Sequence, residues 1–159
     1  MPFRLPKKCR TYFADITGRD ETKLDTLFDG YYLCALVGLA QGKINSNPDL
    51  EATAFVDNYP ADFAESGDYI AGLLISAEEK RKSIPNGDAD ALERLMTTLV
   101  ESQSRTRLST YGENLLSQYA DRGIDVIMEK MAGHTSLEEF FQDYFDCWER
   151  GVFLETQMI

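Results

Sequence analysis

The sequence predicts an all-α fold, a single-domain irregular bundle of five to seven helices. Three observations lead there. Apolar residues recur at i, i+3, i+4 and i+7 through each long segment. β-branched residues never alternate over a useful length. Helix-starting residues, Asp88, Ser109 and Ser136, stand directly before periodic segments. At 159 residues, with 43% hydrophobic and 27% charged side chains, the chain is one domain's worth of globular protein. The predicted division is a basic N-terminal arm with a short helical turn over 1–20, a helical bundle over 21–151, and an apolar tail over 152–159.

Pro2 and Pro6 favour an extended start, and a helical turn is expected from Lys8 to Ile16, ending at Gly18. The first long helix is expected between Glu21 and Gln41, capped by Asp20 and closed by Gly42. Its apolar face is Leu24, Leu27, Phe28, Tyr31, Tyr32, Ala35, Leu36 and Leu39. Asn45, Ser46, Asn47 and Pro48 mark an irregular stretch. Pro60 suits a helix first turn, so one helix is predicted from Ala61 to Lys82. Tyr69, Ile70, Leu73, Leu74 and Ala77 face inward, and Glu78, Lys80, Arg81 and Lys82 form a charged end. Asp88 opens a helix through Ser102. Ser109 opens another, with Leu115, Leu116 and Tyr119 inward and Gly123 as its C-cap. A short helix follows over Ile124–Met131. Ser136 with Glu139 three residues on forms a capping box for a helix carrying Leu137, Phe140, Phe141, Tyr144, Phe145 and Trp148.

Charge narrows the function classes. There are 27 acidic and 16 basic side chains, a net of −11, and because Arg4, Lys7, Lys8 and Arg10 stand without an acid in the first ten residues, the rest carries −15. Such a body repels nucleic acid and anionic membrane at long range. No apolar run approaches the roughly 20 residues of a membrane span, and the basic start lacks the apolar core of a secretion signal. Cys9, Cys34 and Cys147 form no paired motif, which points to a reducing cytoplasm.

Chemistry-bearing patterns are sparse. His134 is the one histidine and reads as a turn residue. The cysteines lack zinc spacing, there is no phosphate-binding glycine loop, and Cys34 reads as an inert buried thiol. Gly38 and Gly42, four apart, suggest close helix packing. The sequence thus predicts no catalytic residue, cofactor or metal. Arg4, Lys7, Lys8, Arg10, Lys80, Arg81 and Lys82 are the candidate nucleic-acid contacts, with Arg105 and Arg107 as a further basic pair. The first cluster reads as a phosphate-touching arm or a solvated tail; its aromatic neighbours Phe3, Tyr12 and Phe13 could stack on bases or pin the arm to the core. Phe141, Tyr144, Phe145, Trp148, Phe153 and Leu154 are the candidate protein-binding set, because that end holds more aromatic surface than one helical face buries. Met158 and Ile159 extend it.

Residues 31–43, YYLCALVGLAQGK, and 108–131, LSTYGENLLSQYADRGIDVIMEKM, together with the Ile70–Glu78 helix and the basic proline-containing start, resemble small helical proteins associated with bacterial Dnd DNA-phosphorothioation and related anti-phage islands. The resemblance covers about two-thirds of the chain and lies in packing and capping residues. It implies an accessory component working beside larger enzymes. The function expected is a non-enzymatic, cytoplasmic adaptor that binds a larger subunit or itself, with at most weak DNA contact. An acidic nucleic-acid mimic is the alternative, and a small enzyme using a carboxylate pair is a third.

Overall fold

The computed structural model describes residues 2–18 and 21–154. Among them are six α-helices: α1 (Lys7–Tyr12), α2 (Leu27–Gln41), α3 (Gly67–Arg81), α4 (Ala89–Leu99), α5 (Thr110–Lys130) and α6 (Leu137–Glu149). Three short 3-10 turns (Ala14–Ile16, Ala61–Ser66, Val152–Leu154) complete the regular structure, and extended contacts are isolated bridges. The fold is all-α. Among the described residues no helix is long and apolar enough to cross a membrane.

α2 and α5 form the central pair. Both are buried over most of their length, and small residues let their backbones meet. A Cβ on Gly38 would lie 2.0 Å from the Tyr119 carbonyl oxygen, and one on Gly123 would lie 1.7 Å from that of Cys34. Gly38 therefore has a packing role. Gly123 does not stop a helix as predicted. α5 runs through it for two further turns, because the missing side chain admits α2.

Other boundaries shift for local reasons. α2 begins at Leu27, not near Glu21. Leu24 is held extended by its N–H donating to the Ile16 carbonyl (2.7 Å) and its carbonyl accepting from Gly18 (2.9 Å). The start is set by Thr26, whose backbone N–H and hydroxyl donate to the Asp29 carboxylate at 2.9 and 3.1 Å. The expected cap Asp20 lies outside the described residues. Ala61–Ser66 is a 3-10 turn, and α3 proper starts at Gly67. Its buried stripe is Ile70, Leu74, Ala77 and Glu78, which turns the expected core residue Tyr69 outward, 61% exposed. Asp88, Ser109 and Ser136 cap α4, α5 and α6 by accepting from Ala91, Gly112 and Glu139 N–H groups. Gly42 ends α2 with φ +65°, the left-handed cap that glycine adopts at low cost.

The first residues differ from a free arm. Phe3 and Leu5 are fully buried, and their carbonyls accept from Phe55 (2.9 Å) and Glu51 (2.8 Å). Phe3 packs against Phe28, Tyr31 and Tyr59 at ring separations of 6.0, 5.6 and 5.7 Å. Burial of two large apolar side chains, worth roughly 1.5–3 kcal/mol each, binds this segment to the loop over 49–56.

Candidate functional site

α6 and the 3-10 turn after it carry the predicted protein-binding residues, and the fold divides them. The i, i+4, i+7 spacing of Phe140, Tyr144 and Cys147 makes these the inward side of α6. The Tyr144 hydroxyl donates to the Leu33 carbonyl at 2.8 Å, and burial pushes its pKa up, so it stays protonated. Gly151, at φ +69°, reverses the chain. Phe153 then returns to the core, and its carbonyl accepts from Gln41 Nε2 at 2.8 Å. Tyr144 and Phe153 thus place their rings inside the chain.

Phe145 and Leu154 face outward, and Phe141 and Trp148 lie at the edge of the core. Phe145 is 55% exposed and Leu154 52%. Phe141 is half-buried and stacks on Phe145 with ring centroids 5.5 Å apart and planes 13° from parallel. Trp148 is half-buried and forms one wall of an apolar groove of about 490 Å³, shared with Leu36, Leu39 and Ala40 of α2 and Leu73 and Ala77 of α3. Lys80 closes its rim. Met158 and Ile159 lie outside the described residues.

The basic candidates are distributed over two regions. In the first, Arg10 donates to both carboxylate oxygens of Glu51 at 2.7 and 2.8 Å, Lys7 lies 3.4 Å from Asp49, and Lys8 pairs with Asp125. Arg4 Nε donates to the Glu51 carbonyl at 2.7 Å. The Arg10 pair holds the Glu51 carboxyl below its ordinary value, against the opposing effect of burial. In the second region Lys80 donates to the Ala40 carbonyl at the end of α2 (3.3 Å), and Lys82 is exposed. Arg107 lies 3.8 Å from Asp68, beside Arg105 in a mixed polar cleft.

Sequence reasoning missed a buried network. Glu78 is fully buried, yet it accepts from Arg81 Nε (2.5 Å) and Nη2 (2.8 Å) and from the Tyr119 hydroxyl (2.8 Å). Burial raises its pKa, but the Arg81 and Tyr119 hydrogen bonds and the Arg81 charge outweigh that and hold it below the ordinary glutamate value. The signal was available: Glu78 stands four residues after Leu74, on the inward stripe of α3. Asp121 stands one helical turn before Asp125 on α5, a spacing that does not reveal burial. It is buried beside Asp125, and both accept from Asn45 Nδ2 at 2.8 Å. Cys9 and Cys34 bring their sulfurs to 3.6 Å, and burial pushes the Cys34 thiol well up, which keeps it protonated and unreactive. His134, in the turn before α6, places Nε2 2.9 Å from Asp143 Oδ2 without hydrogen-bond geometry.

No family model, curated protein or solved structure matches the chain.

Proposed function

We propose that the protein is a non-catalytic adaptor of a bacterial defence or DNA-modification complex, which it serves by binding a larger protein in the cytoplasm. The observation that carries the reading is the outward aromatic surface of α6. Phe141 and Phe145 stack on each other at 5.5 Å and Phe145 stays 55% exposed, although the same helix buries Phe140 and Tyr144 completely. An exposed aromatic ring stacked on a half-buried one, on the helix that also walls an apolar groove, is a start for an interface core. Lys80 at the groove rim favours a partner segment with an acidic residue next to its apolar anchors. The association with a defence system is what the resemblance of residues 31–43 and 108–131 implies.

DNA contact is secondary in this reading, since three of the arm cations already face carboxylates. The test is affinity capture from the native host with the wild-type chain and with Phe145→Asp, a change at an exposed position. A stoichiometric partner that belongs to a DNA-modification or restriction system, and is lost with Phe145→Asp, is the expected result. Capture unaffected by the substitution, or a partner of unrelated function, would overturn the reading.

A further inference from the structure

A second cleft lies where the C-terminal ends of α2 and α3 meet α5. It is an open depression of about 490 Å³ lined by Gly42, Lys43, Ile44, Ser46, Arg81 and Arg122. Three lining residues are cations and none is an acid, on a chain that carries 27 acids and a net charge of −11.

The two guanidinium groups are held from behind. Arg81 commits Nε and Nη2 to Glu78, which is itself buried and fixed by the Tyr119 hydroxyl. Arg122 commits Nε to Gln41 Oε1 at 3.0 Å, and Gln41 is fixed in turn by its bond to the Phe153 carbonyl. Arg81 is engaged by Glu78 and by the Tyr119 hydroxyl beside it, whereas both Nη groups of Arg122 have no hydrogen-bond partner among the described residues. Lys43 has no ion pair among them either.

Helix dipoles explain part of this, because cations are favoured where α2 and α3 end. That role is already filled at α2 by Lys80, which donates to the Ala40 carbonyl. Dipole complementarity also does not require oriented forks, and an exposed lysine satisfies it equally well. Two pre-oriented guanidinium groups and an ammonium, with a hydroxyl from Ser46, are the donor set that recognises a tetrahedral dianion. The cleft is roomier than one bare oxyanion needs, and Ile44 supplies an apolar wall.

The geometry points to a phosphomonoester site, built by Arg81, Arg122 and Lys43, that takes a phosphate carried on a nucleoside-sized group. This goes beyond the adaptor reading and does not depend on it. Two sources share the chemistry: a free nucleoside monophosphate and the 5′-phosphate end of a nucleic-acid strand.

The test is equilibrium binding of the full chain to adenosine 5′-monophosphate and adenosine, and to a short single-stranded oligonucleotide with and without a 5′-phosphate. Each phosphorylated probe is compared with its unphosphorylated twin. Preference of about tenfold or more for adenosine monophosphate supports the free source, and the same preference for the phosphorylated oligonucleotide supports the strand end. In either case Arg122→Gln should weaken binding by about tenfold or more, the cost of losing charge-assisted hydrogen bonds. Arg122 is half-exposed, and Lys43→Ala at an exposed position provides a second variant that leaves the core untouched. Equal affinity within both pairs, no binding at millimolar concentration, or binding unchanged in both variants would overturn the proposal.

Discussion

Gly123 of α5 lies against the carbonyl of Cys34 in α2 so closely that any side chain there would strike backbone, with a Cβ only 1.7 Å from the oxygen. This contact and its counterpart at Gly38 fix the central helix pair. Gly123→Ala should therefore destabilise the protein, although alanine is the better helix former by roughly 1 kcal/mol. The expected cost is about 3 kcal/mol, the upper end for overpacking. At roughly 2–4 °C per kcal/mol for this size, thermal denaturation reads it as a large fall in Tm. Gly72→Ala, in α3 where a Cβ meets nothing within 4 Å, is the control and should hold or raise Tm.

The Glu78, Arg81 and Tyr119 network predicts a graded loss. Arg81→Ala leaves a buried carboxylate without its cation, at a cost of about 3–5 kcal/mol, whereas Tyr119→Phe removes one charged hydrogen bond, about 2 kcal/mol. The pH dependence follows from the lowered folded pKa of Glu78. Its ionised form stabilises the fold above the ordinary glutamate range, and that contribution is lost as pH falls through the folded value. The stability gap between wild type and Glu78→Gln should thus narrow below about pH 4. Urea titrations at several pH values measure it.

Asp121 should behave with the opposite sign. Burial, foremost, and repulsion from Asp125 raise its pKa above the ordinary aspartate value, against the hydrogen bond from Asn45. A raised carboxyl pKa means that ionisation penalises the folded state above the folded value, with relief as pH falls. Asp121→Asn keeps an oxygen for Asn45 and the Asp49 N–H and removes the charge. Tm at neutral pH should rise by a few degrees, and the gain should shrink on acidification. A lower Tm at neutral pH would contradict the assignment.

These sites show what the sequence made legible. Helical class, most segments and the caps Asp88, Ser109 and Ser136 follow from local spacing and local hydrogen bonds. Gly123 is ambiguous locally, because a helix end and a close helix crossing both select glycine, and only the position of Cys34 decides between them. The start of α2 depends on a short-range bridge between Leu24 and Thr17, seven residues back, which hydrophobic periodicity does not register. The N-terminal segment reads as a basic arm by charge, but Phe3 and Leu5 alternate with Arg4, and their burial needs a partner loop more than 40 residues away. The phosphate cleft was out of reach for the same reason: Arg122 looks like an ordinary charge on α5, and Lys43 like a loop lysine.

Buried and exposed aromatics of α6 should separate stability from binding. Phe140 is fully buried and packs against Phe13 at 5.4 Å and Tyr144 at 5.6 Å. Phe140→Ala should cost about 3–5 kcal/mol. Phe145→Ala, at an exposed position, should cost no more than about 1 kcal/mol and weaken partner binding. Calorimetric Tm values beside pull-down yields test both halves, and a Tm fall for Phe145→Ala as large as that for Phe140→Ala would assign the outer face to folding alone.

Duplex DNA should bind weakly at the N-terminal cations. Three of them face carboxylates: Lys7 with Asp49, Lys8 with Asp125, and Arg10 with Glu51. The patch therefore presents little net positive potential, on a body whose long-range field repels phosphate. Any approaching strand must compete for cations already paired. Affinity for a duplex without terminal phosphates should lie at or below the ordinary non-specific level and fall steeply between about 50 and 200 mM salt. Replacing Lys7, Lys8 and Arg10 by glutamine uncovers the three acids and should abolish whatever remains, with only a small effect on Tm because exposed pairs contribute roughly 0–1 kcal/mol each. Fluorescence anisotropy across that salt range measures both effects. Binding that resists salt, or survives the triple replacement, would place the DNA contact elsewhere on the molecule.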